Sequence, residues 1–459
     1  HMLGYQSTFI QGWDTHGLPI ETAISKLGHN RKTMTTAQFR ALCDDYAKKQ
    51  IQTQMADMKA LGTIGDYDHY YATLQKEFEA NQIEVFAKMA LDGLIYKGLK
   101  PVYWSPSSES ALAEAEIEYH DKKDATLYVH FAVVEGKGLV ETGDQFVIWT
   151  TTPWTLPANL AICLNPSLTY VKVRTEKGNL IFAKALMTTL LEKFKLVDSE
   201  VLAEFKGSEC EYITTKHPFY DRTSLLILGD HVTDEDVTGC VHTAPGHGVE
   251  DFNVGRLYHL DAFCPVDDKG CMTAEAGDFL VGQFVEDANK TVITKLSEVN
   301  ALLAIESIVH PYPHDWRTKK PVIYRATDQW FASIEKIRSK LLHEINQVKW
   351  LPEWGQLRMH NMIKDRGDWC ISRQRAWGVP IPIFYTEANT AIMDKEVFQH
   401  VADLFRAHGS NIWFEWDVKE LLPEGYTHAD SPAGHFRKET DIMDVWFDSG
   451  SSHTGVIKE

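Results

Sequence analysis

The chain lacks the features that would assign it to a membrane or to the secreted proteins. No apolar run reaches the length of a transmembrane helix, and the N-terminus has no signal-peptide pattern. Its seven cysteines are scattered and form no C-x-x-C pair. Scatter and an odd number favour reduced thiols over a disulfide framework or a zinc knuckle. We therefore expect a cytoplasmic protein with no membrane partner and no bound metal.

An excess of positive charge is also missing. The formal net charge is −18, which argues against non-specific binding of nucleic acid by the surface as a whole. A local basic track is still compatible with this charge, because a phosphate backbone is recognised locally. With 44% hydrophobic and 24% charged residues the composition is globular, and 459 residues are too many for one core. We expect two or three domains.

Helical signals dominate the first hundred residues. A helix is predicted to begin near Thr35, because Gln38 completes a capping-box pattern three residues later. A second helix is predicted over residues 77–96 from its apolar positions. From about residue 101 the pattern changes to strands and turns, with apolar alternation typical of a half-buried strand over residues 127–133.

The last hundred residues again have an α/β pattern. We therefore predict an α/β protein whose two ends, residues 1–125 and 311–459, belong to one domain. A β-rich mixed region over residues 126–310 would be inserted between them.

The most informative segment is a run of threonines that follows an apolar strand, residues 146–149. Thr150, Thr151 and Thr152 come next, and Pro153 follows them. A strand that ends in consecutive hydroxyls and a proline cannot simply continue into a sheet. Each hydroxyl can both donate and accept a hydrogen bond. The segment therefore predicts a polar pocket at the mouth of a loop.

A second polar segment covers residues 239–251. It places His242, His247 and Asp251 within ten positions, and its glycines permit close approach of the backbone. Against the threonine run, it could hold an ester, with hydroxyls and amides for a sugar and a carboxylate for an amine. Two other interpretations stay open. One is a Gly-Pro turn with surface histidines, and the other is a metallohydrolase site formed by His242, His247 and Asp251, although the helical H-x-x-x-H spacing is absent.

Six segments together closely resemble the isoleucyl-tRNA synthetases, which are class I aminoacyl-tRNA synthetases, of the bacterial type. They are GWDTHGLPIE, WTTTPWTLPAN, GCVHTAPGHGVEDF, YPHDWRTKKPVIYRAT, DWCISRQRAWGVP and DVWFDSGSSH. The resemblance runs over essentially the whole chain. The valyl and leucyl relatives typically have an arginine after the threonines, where this chain has Pro153 and Trp154.

The resemblance implies a Rossmann-type class I catalytic domain that activates isoleucine with ATP and Mg²⁺. It also implies that the inserted region is the editing domain, the connective insertion that hydrolyses valine wrongly attached to the tRNA. Editing would need no cofactor. The expected partners are the tRNA acceptor end and the amino acids valine and isoleucine, and a monomer is expected. A non-catalytic fragment that only binds the acceptor end is the main alternative.

The resemblance also implies roles for individual residues. Thr150, Thr151, Thr152 and Asn159 would line the editing pocket and hold the terminal adenosine and a water. His242 would shape the pocket for the amino-acid side chain and contact the ribose. Asp251 would bind the ammonium group of the misattached valine.

Two further positions match the synthetic site. Asp14 and Trp446 would line the pocket for isoleucine in the catalytic domain.

Departures from the family pattern add expectations. The HIGH motif and the KMSKS motif, which cradle ATP, are both absent from the chain, as is the anticodon-binding region. We therefore expect a fragment that gives no ATP–pyrophosphate exchange and contacts tRNA only weakly, at its acceptor end. Asp328 stands where a proline is more usual, and the sequence offers no account of it.

Overall fold

The computed structural model describes Gly4, residues 9–233 and residues 237–457. The chain divides into two units, one built from its two ends, His1–Gly98 with Gln329–Glu459, and one built from its middle, Leu99–Asp328. The predicted α/β class, with a β-rich region inserted between two ends that belong together, is confirmed. Within the described residues, no helix is both long enough and apolar enough to cross a membrane.

The first part of the end-built unit is mainly helical. Its elements are β1 (Ile10–Trp13), α1 (Leu18–Lys26), a 3-10 turn (Arg31–Thr33), α2 (Thr36–Ala60), β2 (Asp66–Ala72) and α3 (Lys76–Leu91). The start of α2 is confirmed, because the Thr35 hydroxyl accepts from the Gln38 N–H and the Gln38 side chain accepts from the Thr35 N–H. The prediction that α3 extends to residue 96 was wrong. Gly93 adopts a positive φ of 70°, which ends the helix, and a strand begins at Ile95.

The middle unit contains most of the strands. Its elements, with the strands that lead into and out of it, are β3 (Ile95–Ser105), β4 (Ser110–Leu112), a 3-10 turn (Glu114–Glu116), β5 (Ile117–Glu135), β6 (Gln145–Thr150), a 3-10 helix (Pro153–Ala158), β7 (Ala161–Leu164), β8 (Thr169–Thr175), β9 (Gly178–Ala183), a 3-10 turn (Lys184–Leu186), α4 (Met187–Lys193), β10 (Glu200–Lys206), a 3-10 turn (Gly207–Cys210), β11 (Thr214–Lys216), β12 (Thr223–Leu228), β13 (Cys240–Thr243), α5 (Val249–Leu257), a 3-10 turn (Ala274–Ala276), α6 (Val285–Glu298), β14 (Leu302–Asp315) and β15 (Ile323–Ala332).

The chain then completes the end-built unit. The remaining elements are α7 (Glu335–Ile345), α8 (Trp354–Lys364), β16 (Trp369–Cys370), β17 (Ser372–Arg373), β18 (Phe384–Tyr385), α9 (Lys395–His408), α10 (Ile412–Glu415), α11 (Val418–Leu421), β19 (Arg437–Lys438), β20 (Ile442–Met443), α12 (Val445–Gly450) and α13 (Ser452–Gly455).

A buried arginine shows why the two ends form one unit. Arg40 on α2 is 1% exposed, and its guanidinium donates to the carbonyls of Ala376 and Gly378 and to the side chains of Ser410 and Asn411. A buried charge is tolerated when its donors find acceptors, and here the four acceptors come from the far end of the chain. Helices α3 and α9 also pack against each other and share one hydrophobic core within this unit.

The middle unit is organised by one ten-stranded sheet with the order β10-β8-β9-β6-β13-β7-β12-β11-β5-β14. An additional pairing joins β5 to β6. It closes six of these strands into a ring with the order β6-β13-β7-β12-β11-β5. Closure removes the free edges that an open sheet leaves. Within the ring β6 and β13 are parallel neighbours, with Val241 opposite Trp149.

The predicted domain boundaries differ from this division. The predicted limits at 125/126 and 310/311 fall within β5 and β14, which pair along most of their length. The units divide at Gly98 and Leu99 and again at Asp328 and Gln329. As limits of functional domains, the predicted boundaries stay predictions.

Candidate functional site

The candidate site lies where two parallel strands of the ring end side by side. The threonine run begins at the last residue of β6, and His242 is the third residue of the four in β13. Because β6 and β13 are parallel, their carboxyl ends meet at the same edge of the sheet. Helix α5 follows β13 after a short turn and carries Asp251 in its first turn. Two segments that are ninety residues apart thus come together.

A cavity of about 230 Å³ occupies this edge. Thirteen residues line it: Trp149, Thr150, Thr151, Thr152, Thr155, Val237, Thr238, Cys240, Val241, His242, Ala244, His247 and Asp251. Five of the six residues predicted from the sequence are among them. The sixth, Asn159, is fully buried behind His242 and does not line the cavity. The threonine run and the glycine-rich segment therefore share one pocket.

A 3-10 helix, Pro153–Ala158, turns the chain away from β6 and shapes the wall of the cavity. Thr152 precedes it, and the Thr152 carbonyl accepts from both the N–H and the hydroxyl of Thr155, at 2.9 Å and 2.8 Å. Arg222 donates to the carbonyls of Pro157 and Asn159 at the far end of the turn. These contacts satisfy backbone groups that the strand no longer pairs.

The protonation state of His242 follows from its neighbours. The Asn159 amide nitrogen donates to the Ala161 carbonyl at 2.9 Å, and a carbonyl can only accept, so this side-chain atom must be the NH₂ group. The same NH₂ group donates to His242 Nδ1 at 2.8 Å, which makes Nδ1 an acceptor. His242 Nε2 therefore carries the hydrogen, and it donates to the Thr155 hydroxyl at 3.0 Å. A chain of hydrogen bonds runs from Asn159 through His242 and Thr155 to the Thr152 carbonyl.

His242 is consequently a neutral side chain in a fixed orientation. Burial and, to a smaller extent, the nearby His247 together lower its pKa to about 3. Both ring nitrogens are occupied, so the imidazole presents its ring, not a free nitrogen, to the cavity. The arrangement suits a steric wall better than a proton acceptor.

Asp251 is the acidic group of the cavity. Burial raises its pKa to about 6, while a hydrogen bond from the Ala244 N–H, at 2.8 Å to Oδ2, acts in the opposite direction. The carboxylate is thus ionised at neutral pH but incompletely compensated, because one backbone N–H does not replace its hydration. A cationic group that entered the cavity would complete its hydrogen bonding.

The hydroxyls of Thr150, Thr151 and Thr152 differ in the hydrogen bonds that they make within the protein. Thr150 Oγ1 accepts from the Thr152 N–H at 3.1 Å, and Thr152 Oγ1 lies 3.3 Å from Thr155 Oγ1. Thr151 Oγ1 makes no hydrogen bond within the described part of the chain, and Thr151 lines the cavity. Its hydroxyl is therefore the one best placed to bind a ligand.

The structure does not bring His242, His247 and Asp251 together as metal ligands. Among the described residues no three His, Cys, Asp or Glu side chains are grouped so that they could hold a metal ion. His242 has no lone pair to offer, because Asn159 already donates to Nδ1 and Nε2 carries the hydrogen. The metallohydrolase interpretation therefore has no ligand set, and the interpretation as surface histidines fails because both rings are buried.

Comparison with known proteins assigns the family. A family model described as tRNA synthetases class I (I, L, M and V) matches residues 1–459. The chain belongs to this family. Isoleucine–tRNA ligases from Bacillus cytotoxicus and from Bacillus anthracis are 58% identical over 458 residues, which is all of this chain and 50% of each relative. The chain thus spans about half the length of the curated relatives it matches, and the predicted resemblance to isoleucyl-tRNA synthetases is confirmed.

A solved structure is also similar in part. The LeuRS–tRNA–LeuAMS ternary complex of Agrobacterium radiobacter K84 is 17% identical, covers 97% of this chain and 51% of that chain, and has a TM-score of 0.36.

The residues predicted for the synthetic site of a class I tRNA synthetase lie near each other in the end-built unit. Asp14 follows β1, and its Oδ2 accepts from the hydroxyl of Ser449 on α12 at 2.5 Å. Trp446 is on the same helix and is 46% exposed. Both side chains are available to a ligand, and their roles stay predictions.

Sequence reasoning missed Thr155, which is the acceptor for His242 and the centre of the hydrogen-bond chain. A signal for it existed, because Thr155 follows Thr152 by three residues and residues three apart eclipse each other on a 3-10 turn. Thr238 and Cys240 were also missed, since they precede and begin a strand that periodicity alone could not identify.

Proposed function

We propose that this chain carries the editing half of an isoleucine–tRNA ligase and that its cavity hydrolyses valine wrongly attached to the isoleucine tRNA. The observation that supports this most is the pairing, in one 230 Å³ cavity, of an ionised carboxylate with threonine hydroxyls and a fixed imidazole wall. The cavity is smaller than the roughly 300–1,000 Å³ of pockets for drug-sized ligands, which suits an aminoacyl group.

In this proposal Asp251 binds the ammonium group of the valyl ester. Thr151 donates or accepts a hydrogen bond with the substrate, and Thr150 and Thr152 orient the loop that holds the terminal adenosine and the attacking water. Hydrolysis needs no covalent nucleophile, because an activated ester reacts with a water that is held against its carbonyl. His242 and the Asn159 behind it hold the wall that limits the size of the amino-acid side chain.

A second, hydrolytic site is needed because valine and isoleucine differ by one methylene. The isoleucyl enzyme is itself the standard example: a hydrophobic pocket gains only about 1–3 kcal/mol from that group, too little for accurate translation. A cavity that accepts the smaller side chain and excludes the larger one removes the error.

The activity of the whole enzyme is part of the same proposal. The complete ligase would attach isoleucine to its tRNA with ATP and Mg²⁺ in a Rossmann-type catalytic domain, to which the end-built unit would belong. Asp14 and Trp446 would contact isoleucine there. Editing itself would use no cofactor. The tRNA acceptor end is the proposed macromolecular partner, in the cytoplasm, with the chain as a monomer.

Deacylation of charged tRNA tests the proposal. We expect the chain to release valine from Val-tRNA(Ile) faster than background and to leave Ile-tRNA(Ile) at the background rate, because the wall at His242 excludes the extra methylene. Binding of the acceptor end without any rate above background would instead identify a non-catalytic binding fragment. Insensitivity of the rate to a chelator would separate this activity from a metallohydrolase.

The pH dependence gives an independent check. Because the pKa of Asp251 is raised to about 6, its ammonium-binding form is lost as the pH falls below that value. We expect kcat/KM for Val-tRNA(Ile), after subtraction of uncatalysed hydrolysis, to rise between pH 5 and pH 7 with a midpoint near 6. His242, with a pKa of about 3, should contribute no step in this range. A flat profile would contradict the role of Asp251.

A further inference from the structure

A buried pair of ionisable side chains lies in the end-built unit. His16 follows β1 and is 5% exposed, and Asp448 on α12 is 1% exposed. His16 Nδ1 lies 2.7 Å from Asp448 Oδ2, although 432 positions separate the two residues in sequence. A buried pair of this kind contributes little net stability, because desolvation offsets the attraction. Its surroundings therefore point to another role.

Asp448 accepts hydrogen bonds from two directions. The side-chain nitrogen of Gln82 on α3 donates to Oδ1 at 2.6 Å. An ionised carboxylate can only accept, so Nδ1 of His16 carries the hydrogen and donates to Oδ2. The Asp448 carboxylate thus joins three parts of the unit, which are α3, α12 and the segment that follows β1.

The segment around His16 is fixed on its other sides as well. Trp377 packs edge-on against the His16 ring, with 5.0 Å between centroids, and its indole N–H donates to the Thr15 carbonyl at 2.6 Å. The Gly17 N–H donates to the Trp377 carbonyl at 3.0 Å. Thr15 also donates its own N–H to the Thr73 hydroxyl, again at 3.0 Å. The segment is therefore anchored through both its backbone and its side chains.

Asp14 is the exposed residue that comes directly before this anchored segment. Its Oδ2 accepts from the hydroxyl of Ser449, which follows Asp448 on α12. This bond and the bond of the buried pair therefore join the same two segments side by side. Trp446 is also on α12. The two residues proposed to contact isoleucine, Asp14 and Trp446, are thus carried by the two segments that the buried pair joins.

Helix α12 is too short to hold its own orientation. It has six residues, and isolated helices of that length are not stable in water. Asp444 caps it by accepting from the Trp446 N–H at 3.2 Å, and Phe447 stacks on Trp369 with 5.9 Å between centroids. These contacts hold the helix on one side only. The bond of the buried pair ties it to the segment of Asp14.

We propose that His16 and Asp448 are positioning residues for the synthetic site, and that their hydrogen bond holds Asp14 and Trp446 at the spacing that binds the amino acid. The effect on binding rests on the proposed contact of Asp14 and Trp446 with isoleucine, whereas the coupling of the two segments does not. Both positioning residues are buried and would not touch the ligand. The Asp14 carboxylate can pair with the ammonium group of an amino acid, and a small displacement would weaken that pair.

Two amide substitutions at His16 differ only in where they place an N–H group. The side-chain nitrogen of His16→Asn takes the place of Nδ1 and can still donate to Asp448, whereas that of His16→Gln lies farther out and cannot. Tyr385→Phe is the control for a general loss of stability. It removes a buried hydrogen bond to Glu439 within the same unit and touches neither segment.

Amide hydrogen exchange tests the coupling without any ligand. We expect His16→Gln to raise the exchange rate at least about tenfold both in residues 12–17 and in residues 445–450, because the two segments are released together. In His16→Asn and in Tyr385→Phe both segments should exchange at the rate of the parent, and α9 should be unchanged in every variant. If His16→Gln does not fold, Asp448→Asn, which keeps the shape of the side chain, should release the same two segments. Unchanged exchange in either segment would overturn the proposal.

Isoleucine binding, followed by equilibrium dialysis, tests the consequence for the site. We expect His16→Gln to raise the Kd for isoleucine about tenfold, because the Asp14 carboxylate is displaced from the ammonium group. His16→Asn and Tyr385→Phe should bind like the parent. Rescue by asparagine distinguishes positioning from a general structural role. Weakening by His16→Asn as large as that by His16→Gln would contradict the assignment to the Nδ1–H bond.

The two measurements separate failure of this inference from failure of the proposed function. If the parent binds no isoleucine while His16→Gln releases both segments, the contact of Asp14 and Trp446 with isoleucine is refuted and the coupling is confirmed. If the parent binds isoleucine and His16→Gln binds it equally well, the positioning role is refuted and the proposed contact stands.

Discussion

Replacing Asp251 by asparagine will lower the deacylation of Val-tRNA(Ile) by roughly 10- to 100-fold. The estimate follows from about 1.5–3 kcal/mol for a hydrogen bond to a charged group, which the ammonium of the valyl ester would lose. Asparagine has the same shape and can still accept from the Ala244 N–H through its amide oxygen. The measurement is kcat/KM for deacylation at pH 7.5, where the carboxylate of the parent is ionised.

The same substitution should leave the protein as stable as the parent or more stable. Burial raises the pKa of Asp251 from 3.8 to about 6, so the folded state disfavours the ionised form by on the order of 1–3 kcal/mol. The penalty is absent below the unfolded pKa near 3.8, grows as the pH rises towards 6 and is constant above it. The difference in the free energy of unfolding between the variant and the parent should therefore appear between pH 4 and pH 6.

Glu250→Gln is the matched control. Glu250 precedes Asp251 on α5, is exposed and does not line the cavity. The Glu250→Gln substitution removes the same charge one residue away. A general effect of charge would therefore slow Glu250→Gln and Asp251→Asn equally. A slow Asp251→Asn beside an active Glu250→Gln supports the ammonium site. Equal activity of Asp251→Asn and the parent would remove Asp251 from the site.

Thr155→Val will destabilise the middle unit and disable the cavity together. Valine keeps the volume but leaves the Nε2–H of His242 buried without an acceptor, which costs about 1–3 kcal/mol. His242 would then lose the contact that fixes its ring, and the wall against isoleucine would loosen. We expect a lower urea midpoint for unfolding, at least tenfold slower deacylation of Val-tRNA(Ile), and a smaller preference over Ile-tRNA(Ile).

Thr151→Val separates stability from binding. The Thr151 hydroxyl makes no hydrogen bond within the described residues, so its removal should change the free energy of unfolding by no more than about 0.5 kcal/mol. Deacylation should nevertheless fall, because this hydroxyl is the one available to the substrate. If Thr151→Val were as unstable as Thr155→Val, the hydrogen-bond chain would not explain either result.

Much of the architecture could be predicted from local patterns. The capping box at Thr35 and Gln38 located the start of a long helix, and the apolar run after residue 145 located β6. The apolar periodicity gave the wrong end for α3, because it continues beyond Leu91, where the helix ends. Gly93 has a positive φ, and a strand begins at Ile95. The predicted domain limits at 125/126 and 310/311 stay predictions; they fall within β5 and β14, whose long-range pairing local patterns do not show.

The candidate site, too, was predicted in part from the sequence and decided in part by the tertiary structure. Residue types along the chain were enough to select the threonine run, His242 and Asp251, since hydroxyls, imidazole and carboxylate concentrated near glycine and proline indicate binding chemistry. They could not reveal that Asn159 lies behind His242 or that the Thr155 hydroxyl accepts a hydrogen bond from His242. Those facts depend on the parallel pairing of β6 with β13, which joins residues far apart in sequence. Side-chain identity is local information, whereas burial, tautomer and pKa are set by neighbours that only the folded chain assembles.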